Sequence, residues 1–323
     1  MSAATDTLAG LLIINDRNLS ATEATDLLQD APVVMKMNAQ PASQGGTLHK
    51  FLRELTAPGV GFRAVGQGLT NAAGTVEAVT VTCELLDASF SRDIALALGY
   101  KDGQTAYMDK ESAKAVRRAF FAVEQSIFAS TISQQFTGLL GSGYTDQNAD
   151  DQVVNAGGSG GKSVWVMRSA EDGVSLIAGN EGRMTMSQED ATIQLYAGAG
   201  KGYYTALHRA ILGYFGLQIG SKYDVVRIAN LDATTGHTLT DAHLAEAVAK
   251  FPASKQPNMI VMNRTAIVEL QASRTAVNPT GQEAPFPTSA FGFPIVVSDA
   301  LPSNETVVNS TTTGTTTVTT TSA

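Results

Sequence analysis

The chain has 323 residues, is 43% hydrophobic, carries a formal net charge of −8, and contains one cysteine and four histidines. That length suits one large or two ordinary domains with a filled core. The acidic balance argues against broad affinity for nucleic acid, and a lone Cys83 excludes an intrachain disulfide and a zinc ribbon.

Residues 1–18 read as an arm with a short apolar patch, "LAGLLII". No Lys or Arg precedes that patch, so the basic region of a secretory signal is missing. No apolar run approaches the ~20 residues needed to span a bilayer. The expectation is a soluble protein that stays where it is made. "NLSATEATDLLQDAP" reads as a short helix capped by Ser20 or Thr22 and ended by Pro32.

From Thr47 to Asp93 the texture becomes strand-like and glycine-punctuated. "TLHKFLREL", "GVGFRAVGQGL" and "TVEAVTVTCELLDASFSRDI" are the pieces. The first two are basic, with His49, Lys50, Arg53 and Arg63, and hold too few large apolar residues for a core of their own. Cys83, in an apolar strand, reads as a small core residue.

"DKESAKAVRRAFFAVEQSIFASTISQQF" is the strongest helix pattern. Asp109 suits its N-cap, and Gly138 its end. Ala113, Val116, Phe120, Val123 and Ile127 recur at three- and four-residue steps and form one apolar face.

Next comes "NAGGSGGKSVWVM", in which residues 156–163 spell a relaxed phosphate loop: Ala156, then Gly160, Gly161, Lys162 and Ser163. Such a loop works when a strand delivers it and a helix starts just after the lysine. Here only Val153 and Val154 offer a preceding strand, and "SVWVM" reads as a strand, not a helix. A nucleotide-binding enzyme built on this loop is the alternative from another functional class. "VWVMRS" and "GVSLIAG" read as a hairpin about Glu171, Asp172 and Gly173.

"YYTALHRAILGYFGLQIG" is a mixed apolar stretch, and "YDVVRIANL" a strand. "TDAHLAEAVAKF" is a short helix started by Thr240 or Asp241. "NMIVMN" is a buried strand, "RTAIVELQAS" a helix, and "FGFPIVVSDAL" a last strand. The chain closes on a threonine-rich segment, "STTTGTTTVTTTSA", too poor in large apolar residues to fold alone. Its β-branched composition suits an added strand on a neighbouring subunit.

No catalytic pairing emerges. There is no GxSxG elbow and no HExxH. Asp224, Asp232, His237 and Asp241 lie close in sequence, a pattern that acid–base or metal chemistry shares with ordinary strand-end and helix-cap aspartates. The residues alone therefore give an α+β protein with extended appendages and no active site.

Taken in order, several stretches resemble tailed-phage major capsid proteins of the Hong Kong 97 type. "APVVMKMNAQPASQGGTLHKFLRELTAPGVGFRAVGQGL" is similar to the segment entering their extended loop. "GKSVWVMRSAEDGVSLIAGNEG" is similar to their tryptophan-bearing hairpin. "YYTALHRAILGYFGLQIGSKYDVVRIANLDA" is the most specific match, and "FGFPIVVSDAL" resembles their C-terminal strand. The resemblance implies an N-terminal arm (1–44), an extended loop (45–78) and a peripheral domain (79–136) whose spine helix is Asp109–Phe136. It further implies an axial domain (137–300) and a C-terminal strand and tail (301–323). The implied function is self-assembly, through hexamers and pentamers, into an icosahedral head around phage DNA held without sequence specificity. With it come a separate scaffolding protein, a portal, a decoration protein, assembly in the host cytoplasm, and no catalytic residue, cofactor, metal or membrane. A nanocompartment shell of the same fold is the nearest alternative.

Overall fold

The computed structural model describes residues 27, 29–43, 46–68, 73–129, 133–143, 152–187, 189–196, 202–234, 236–278 and 282–308. Most of the predicted helix at 18–32, the apolar arm and the threonine-rich segment lie outside these residues. The chain forms two compact units. One comprises 1–138, 169–221 and 298–300; the other comprises 139–168, 222–297 and 301–323. A linear division at 136/137 therefore misses the return of 169–221 to the first unit.

The first unit starts with a one-turn helix, α1 (Pro32–Lys36), and a short strand, β1 (Ala39–Pro41). Strands β2 (Leu48–Thr56) and β3 (Thr75–Thr82) pair antiparallel from Leu48↔Thr82 to Thr56↔Thr75 as a separate two-stranded sheet. The hairpin thus runs past the expected boundary at 78. The expected strand in "GVGFRAVGQGL" does not form: residues 57–68 are strand-free, with Gly66 at φ 86°. Pro58 and the glycines remove the side chains and the amide that a ladder needs.

Two further strands, β4 (Glu84–Asp87) and β5 (Phe90–Asp93), lead to α2 (Ile94–Leu98), whose first turn is capped by the Asp93 carboxylate. The long helix, α3, is Gln104–Phe128, with Gly103 before it at φ 90°. It begins five residues earlier than Asp109 and ends well short of Phe136 and Gly138. Nothing in Gln104–Met108 breaks a helix, and Tyr107 and Met108 are held by packing against Ala97 and Leu207. Asp109 therefore sits inside the helix, where it receives a hydrogen bond from Arg209. Gly138 does not stop α3 but packs over its end. A Cβ there would lie 2.2 Å from the Ser126 carbonyl oxygen.

Val123 and Ile127 of the expected apolar face are buried. Ala113 is exposed, while Ser112, Glu124 and Ser126 are buried instead. Polar residues with internal partners rotate the buried face away from the apolar pattern. The Ser112 and Ser126 hydroxyls donate back to the carbonyls of Met108 and Ala122.

After crossing to the second unit for β6 (Val153–Asn155) and β7 (Lys162–Met167), the chain returns for β8 (Val174–Ala178), β9 (Thr185–Met186), β10 (Ala191–Tyr196), β11 (Tyr203–Arg209) and β12 (Ile211–Ile219). One sheet has the order β1-β8-β12-β4, with β9 also on β12, and another the order β10-β11-β5. The expected Trp165 hairpin is absent: β7 and β8 belong to different sheets, and only Ser169 and Val174 bridge. The chain passes between units at Arg168 and Ser169, just ahead of the Glu171–Gly173 turn.

The second unit adds β13 (Val225–Leu231), α4 (Asp241–Ala249), β14 (Met259–Met262), α5 (Arg264–Ala276), β15 (Ser289–Ala290) and β16 (Phe293–Val297). Its sheet order is β15-β16-β14-β7-β13-β6. Every residue of β13 and β14 is buried, as expected of apolar runs inside a sheet. Thr240 and Asn263 cap the two helices by accepting from the His243 and Ala266 amides. Leu244, Ala247, Ile267 and Leu270 then close the core over Val164, Val166, Ile228 and Ile260.

Glu124 ties α1 into the first unit. The α1 N-terminus has no side-chain cap of its own, and the Glu124 Oε2 atom accepts from Val33 and Val34 amides at 2.9 and 3.1 Å. Its Oε1 meets the Ser298 hydroxyl, which also accepts from Ala300 N. Burial raises this carboxyl above its usual range, against the lowering by Ser298, Val34 and Val33. A carboxyl raised on folding contributes its full stability below the unfolded value of about 4.3 and loses it as pH rises through the folded value. Glu124→Gln mimics the protonated form, so its stability relative to wild type should increase as pH rises. Glu124→Ala should cost about 1–3 kcal/mol by orphaning two amides. Urea unfolding across the acid-to-neutral range measures both. A pH-independent difference between wild type and Glu124→Gln would contradict the assignment.

Candidate functional sites

The loop between β6 and β7 shows why the phosphate-loop spelling arises. Its amides are already donated: Gly157 N to Asn155 Oδ1 at 2.8 Å, Gly158 N to the Asn230 carbonyl at 3.1 Å, and Ser159 N to Asp232 Oδ2 at 3.0 Å. A protein carboxylate thus stands where a loop of this kind would take an anion. The Ser159 and Thr234 amides hold the Asp232 carboxyl below its usual range. The glycines serve close approach. A Cβ on Gly158 would lie 2.5 Å from the Asn230 carbonyl oxygen, one on Gly160 2.2 Å from that of Leu231, and one on Gly161 2.5 Å from Glu305 N.

Lys162 and Ser163 lie within β7, so they point to opposite faces. Lys162 pairs with Glu269, both mostly buried. The Ser163 hydroxyl donates to Glu305 and accepts from Arg227 Nε at 2.9 Å. This arrangement speaks against the nucleotide-site alternative at 156–163: the Gly157, Gly158 and Ser159 amides, the lysine and the serine serve internal contacts. Calorimetry should detect no ATP binding to wild type or Lys162→Ala. The variant should lose about 1–3 kcal/mol of stability by leaving the Glu269 carboxylate unpaired. Micromolar ATP binding that the variant abolishes would contradict this.

Asp224, Asp232, His237 and Asp241 do not converge. Asp224 is fully buried and paired with Arg168 at 3.0 Å. His237 Nδ1 lies 2.7 Å from the Ala156 carbonyl, and Asp241 takes a bidentate contact from Arg274 at 2.7 and 2.8 Å. Among the described residues no cluster of His, Cys, Asp or Glu could hold a metal ion.

Sequence reasoning missed the attachment of residues 301–308. The Arg227 guanidinium reaches Glu305 at 2.5 Å, with side chains 1% and 2% exposed, and it lies 5.8 Å from the Trp165 ring centre. Asn230, at φ 60°, grips Val308 like a strand neighbour, accepting from its amide and donating to its carbonyl, both at 2.8 Å. The only signal is an arginine inside the apolar run "VVRIANL", whose partner lies 78 positions away.

The β2–β3 hairpin has a fixed root and a free apex. At the root, His49 Nδ1 accepts from Ser43 N at 3.1 Å, and His49 Nε2 meets Gln218 Oε1 at 2.8 Å. Gln218 spends its amide group on the Glu171 carbonyl, which leaves its oxygen facing the ring and assigns the ring proton to Nε2. Along the ladder, Arg53 pairs with Glu77 at 2.8 Å. Leu52, Leu55 and Val76 are 75%, 57% and 65% exposed, and at the apex Val60, Phe62 and Val65 are fully in solvent. An isolated two-stranded hairpin is marginal in water, and exposed apolar groups concentrated on one appendage mark an interaction surface.

Compared with solved structures, the chain is similar to a subunit of bacteriophage Epsilon15, with TM-score 0.68, 18% identity, and 94% of this chain and 97% of that one covered. It is also similar to the capsid of bacteriophage JBD30, with TM-score 0.54, 12% identity and coverages of 90% and 98%. Its fold is thus that of tailed-phage capsid subunits of the Hong Kong 97 type. Residues 18–309 match the model of the family described as major capsid protein GP7, and the chain belongs to that family. It is a shell-forming major capsid protein, a structural component of the virion. A search of curated proteins returns no match.

Proposed function

We propose that copies of this chain close, as hexamers and pentamers, into the icosahedral head that encloses phage DNA, and that they do so without enzymatic chemistry. The observation that carries this reading is the β2–β3 hairpin, whose apolar apex is fully exposed in the single subunit. It acts as the extended loop between neighbouring copies, much as the resemblance implies for 45–78. The first compact unit serves as the peripheral domain, with α3 as its spine, and the second as the axial domain. Residues 1–44 are the arm. Repetition of one subunit in near-equivalent environments supplies closure. Assembly takes place in the bacterial cytoplasm with a separate scaffolding protein and a portal. A JBD30 capsid decorated with minor capsid protein trimers, at TM-score 0.52, supports a decoration partner.

Trypsin tests the hairpin's role through Arg63. Unassembled subunits should be cut there rapidly, and assembled particles should be protected. Equal cleavage in both states would remove the hairpin from the intersubunit contact. DNA inside purified heads separates this reading from a nanocompartment of the same fold.

A further inference from the structure

The turn between β15 and β16 displays a large apolar side chain where the backbone disfavours one. Ser289 pairs with Pro294 and Ala290 with Phe293, so Phe291 and Gly292 form the whole connection. Both have positive φ, 50° and 83°, as a type I′ turn requires. Asn, Asp and Gly suit its first position. A bulky residue there is an outlier, and such strain concentrates where a chain makes functional contacts. The subunit leaves the turn open: Phe291 is 52% exposed, and a Cβ on Gly292 would meet no atom within 4 Å.

Further apolar surface lies close by. Val277, the C-cap of α5, is 77% exposed, and Phe286 is 55% exposed. The segments that carry the two phenylalanines are tied to the last turns of α5. The Ala284 amide donates to Thr275 Oγ1 at 3.0 Å, and the Arg274 guanidinium approaches the Ser289 carbonyl at 3.5 Å. Arg274 is itself held by Asp241. At these exposures the three side chains present about 100 Å² each, about 300 Å² together, a size that marks a functional patch on a monomer. It is well below the ~800 Å² per partner of a stable pairwise interface. Such a surface cannot hold two free subunits together. It contributes where many contacts act at once, as among the copies of this chain in a shell.

We propose that the Phe291 turn is a contact between adjacent copies, in which an apolar surface of a neighbouring subunit covers the Phe291 ring, with Phe286 and Val277 on its border. This rests on closure of the chain into a shell and names a contact separate from the β2–β3 hairpin. The strained backbone holds the ring outward, and burial of the ring at each copy offsets that strain.

Phe291→Asn separates strain from contact, because Asn-Gly is a favoured pair for such a turn. The unassembled variant should be more stable than wild type, with its ratio of folded to unfolded chains raised about fivefold in chemical unfolding. Its particle yield, from purified chain with no other phage protein present, should fall about tenfold or more. A less stable variant would show that the ring packs within the subunit and would overturn the proposal. An unchanged yield would overturn it as well. A yield that falls only when other phage proteins are supplied would give the turn to one of them and refute a second copy as its occupant. Phe291→Trp keeps a large ring and reports on burial directly, since the native Trp165 is fully buried in the subunit. The added emission should shift to the blue as particles form, and particles without that shift would refute the contact. If wild type forms no particles, the shell reading fails and the proposal with it. If wild type and Phe291→Asn assemble equally, only the role of the turn is refuted.

Discussion

Replacing Leu52–Ala78 with an Asn-Gly turn should leave a folded subunit that no longer forms particles. Leu52 and Ala78 are paired partners, so the cut falls at matched positions, and Asn-Gly suits a two-residue hairpin turn. The root survives: His49 keeps Ser43 and Gln218, and Cys83 N keeps the Thr47 carbonyl. The removed segment contributes little to the subunit core, because its large apolar side chains at Leu52, Leu55, Val60, Phe62, Val65 and Val76 are exposed. Its exposed ion pair, Arg53–Glu77, is worth about 0.2–1 kcal/mol. Circular dichroism should therefore show native content and a small stability change. Sedimentation should show complete loss of particles, since each subunit loses an entire contact surface and the loss recurs at every copy. Unfolding of the truncated chain would place the hairpin in the core. Particles of normal size and yield would remove it from assembly.

Arg227→Met should destabilise the subunit by about 3–5 kcal/mol, the largest effect expected from a single side chain here. The variant strands Glu305, whose Oε1 has no hydrogen-bond partner among the described residues even in the wild-type arrangement. It also removes the bond to Ser163 and the contact with the Trp165 ring. Burial already raises the Glu305 carboxyl above its usual range, outweighing the lowering by Arg227 and Ser163. A raised carboxyl favours the folded state below its unfolded value and loses that contribution as pH rises through the folded one. The deficit in Arg227→Met should accordingly be greatest near neutral pH and shrink at acidic pH, as Glu305 takes up a proton. Replacing both partners, Arg227→Met with Glu305→Leu, should recover most of the loss, because no buried charge then remains. Chemical unfolding of unassembled subunits at the two pH values measures this. A loss under about 1 kcal/mol for Arg227→Met would mean that the pair does not hold residues 301–308.

Local patterns carried much of the second unit. The apolar runs at Val225–Leu231 and Met259–Met262 became its central strands, and Thr240 marked the start of α4 as its type predicts. These features are encoded within a few residues. What escaped depends on partners far along the chain. "VWVMRSAEDGVSLIA" has every local sign of a hairpin, yet its two strands join different sheets and the chain changes units at Arg168 and Ser169. The Asp109 cap failed because Tyr107 and Met108 gain more from packing than from a loop. Arg227, Glu305 and Glu124 are charged residues buried through contacts 78 to 174 positions apart, invisible to any window. The hairpin as an exposed appendage was legible from its sparse large side chains and glycines. The apolar face of α3 was half legible: Val123 and Ile127 are buried as the pattern implies, whereas Ala113 is exposed and Val116 half-buried.

Electron microscopy of the purified chain at high concentration tests the central claim most directly. Assembly into a phage head predicts closed shells, or five- and six-membered rings on the way to them, and predicts their disappearance when Leu52–Ala78 is removed. A preparation that stays monomeric, with no ring or shell under any condition that keeps the subunit folded, would contradict it.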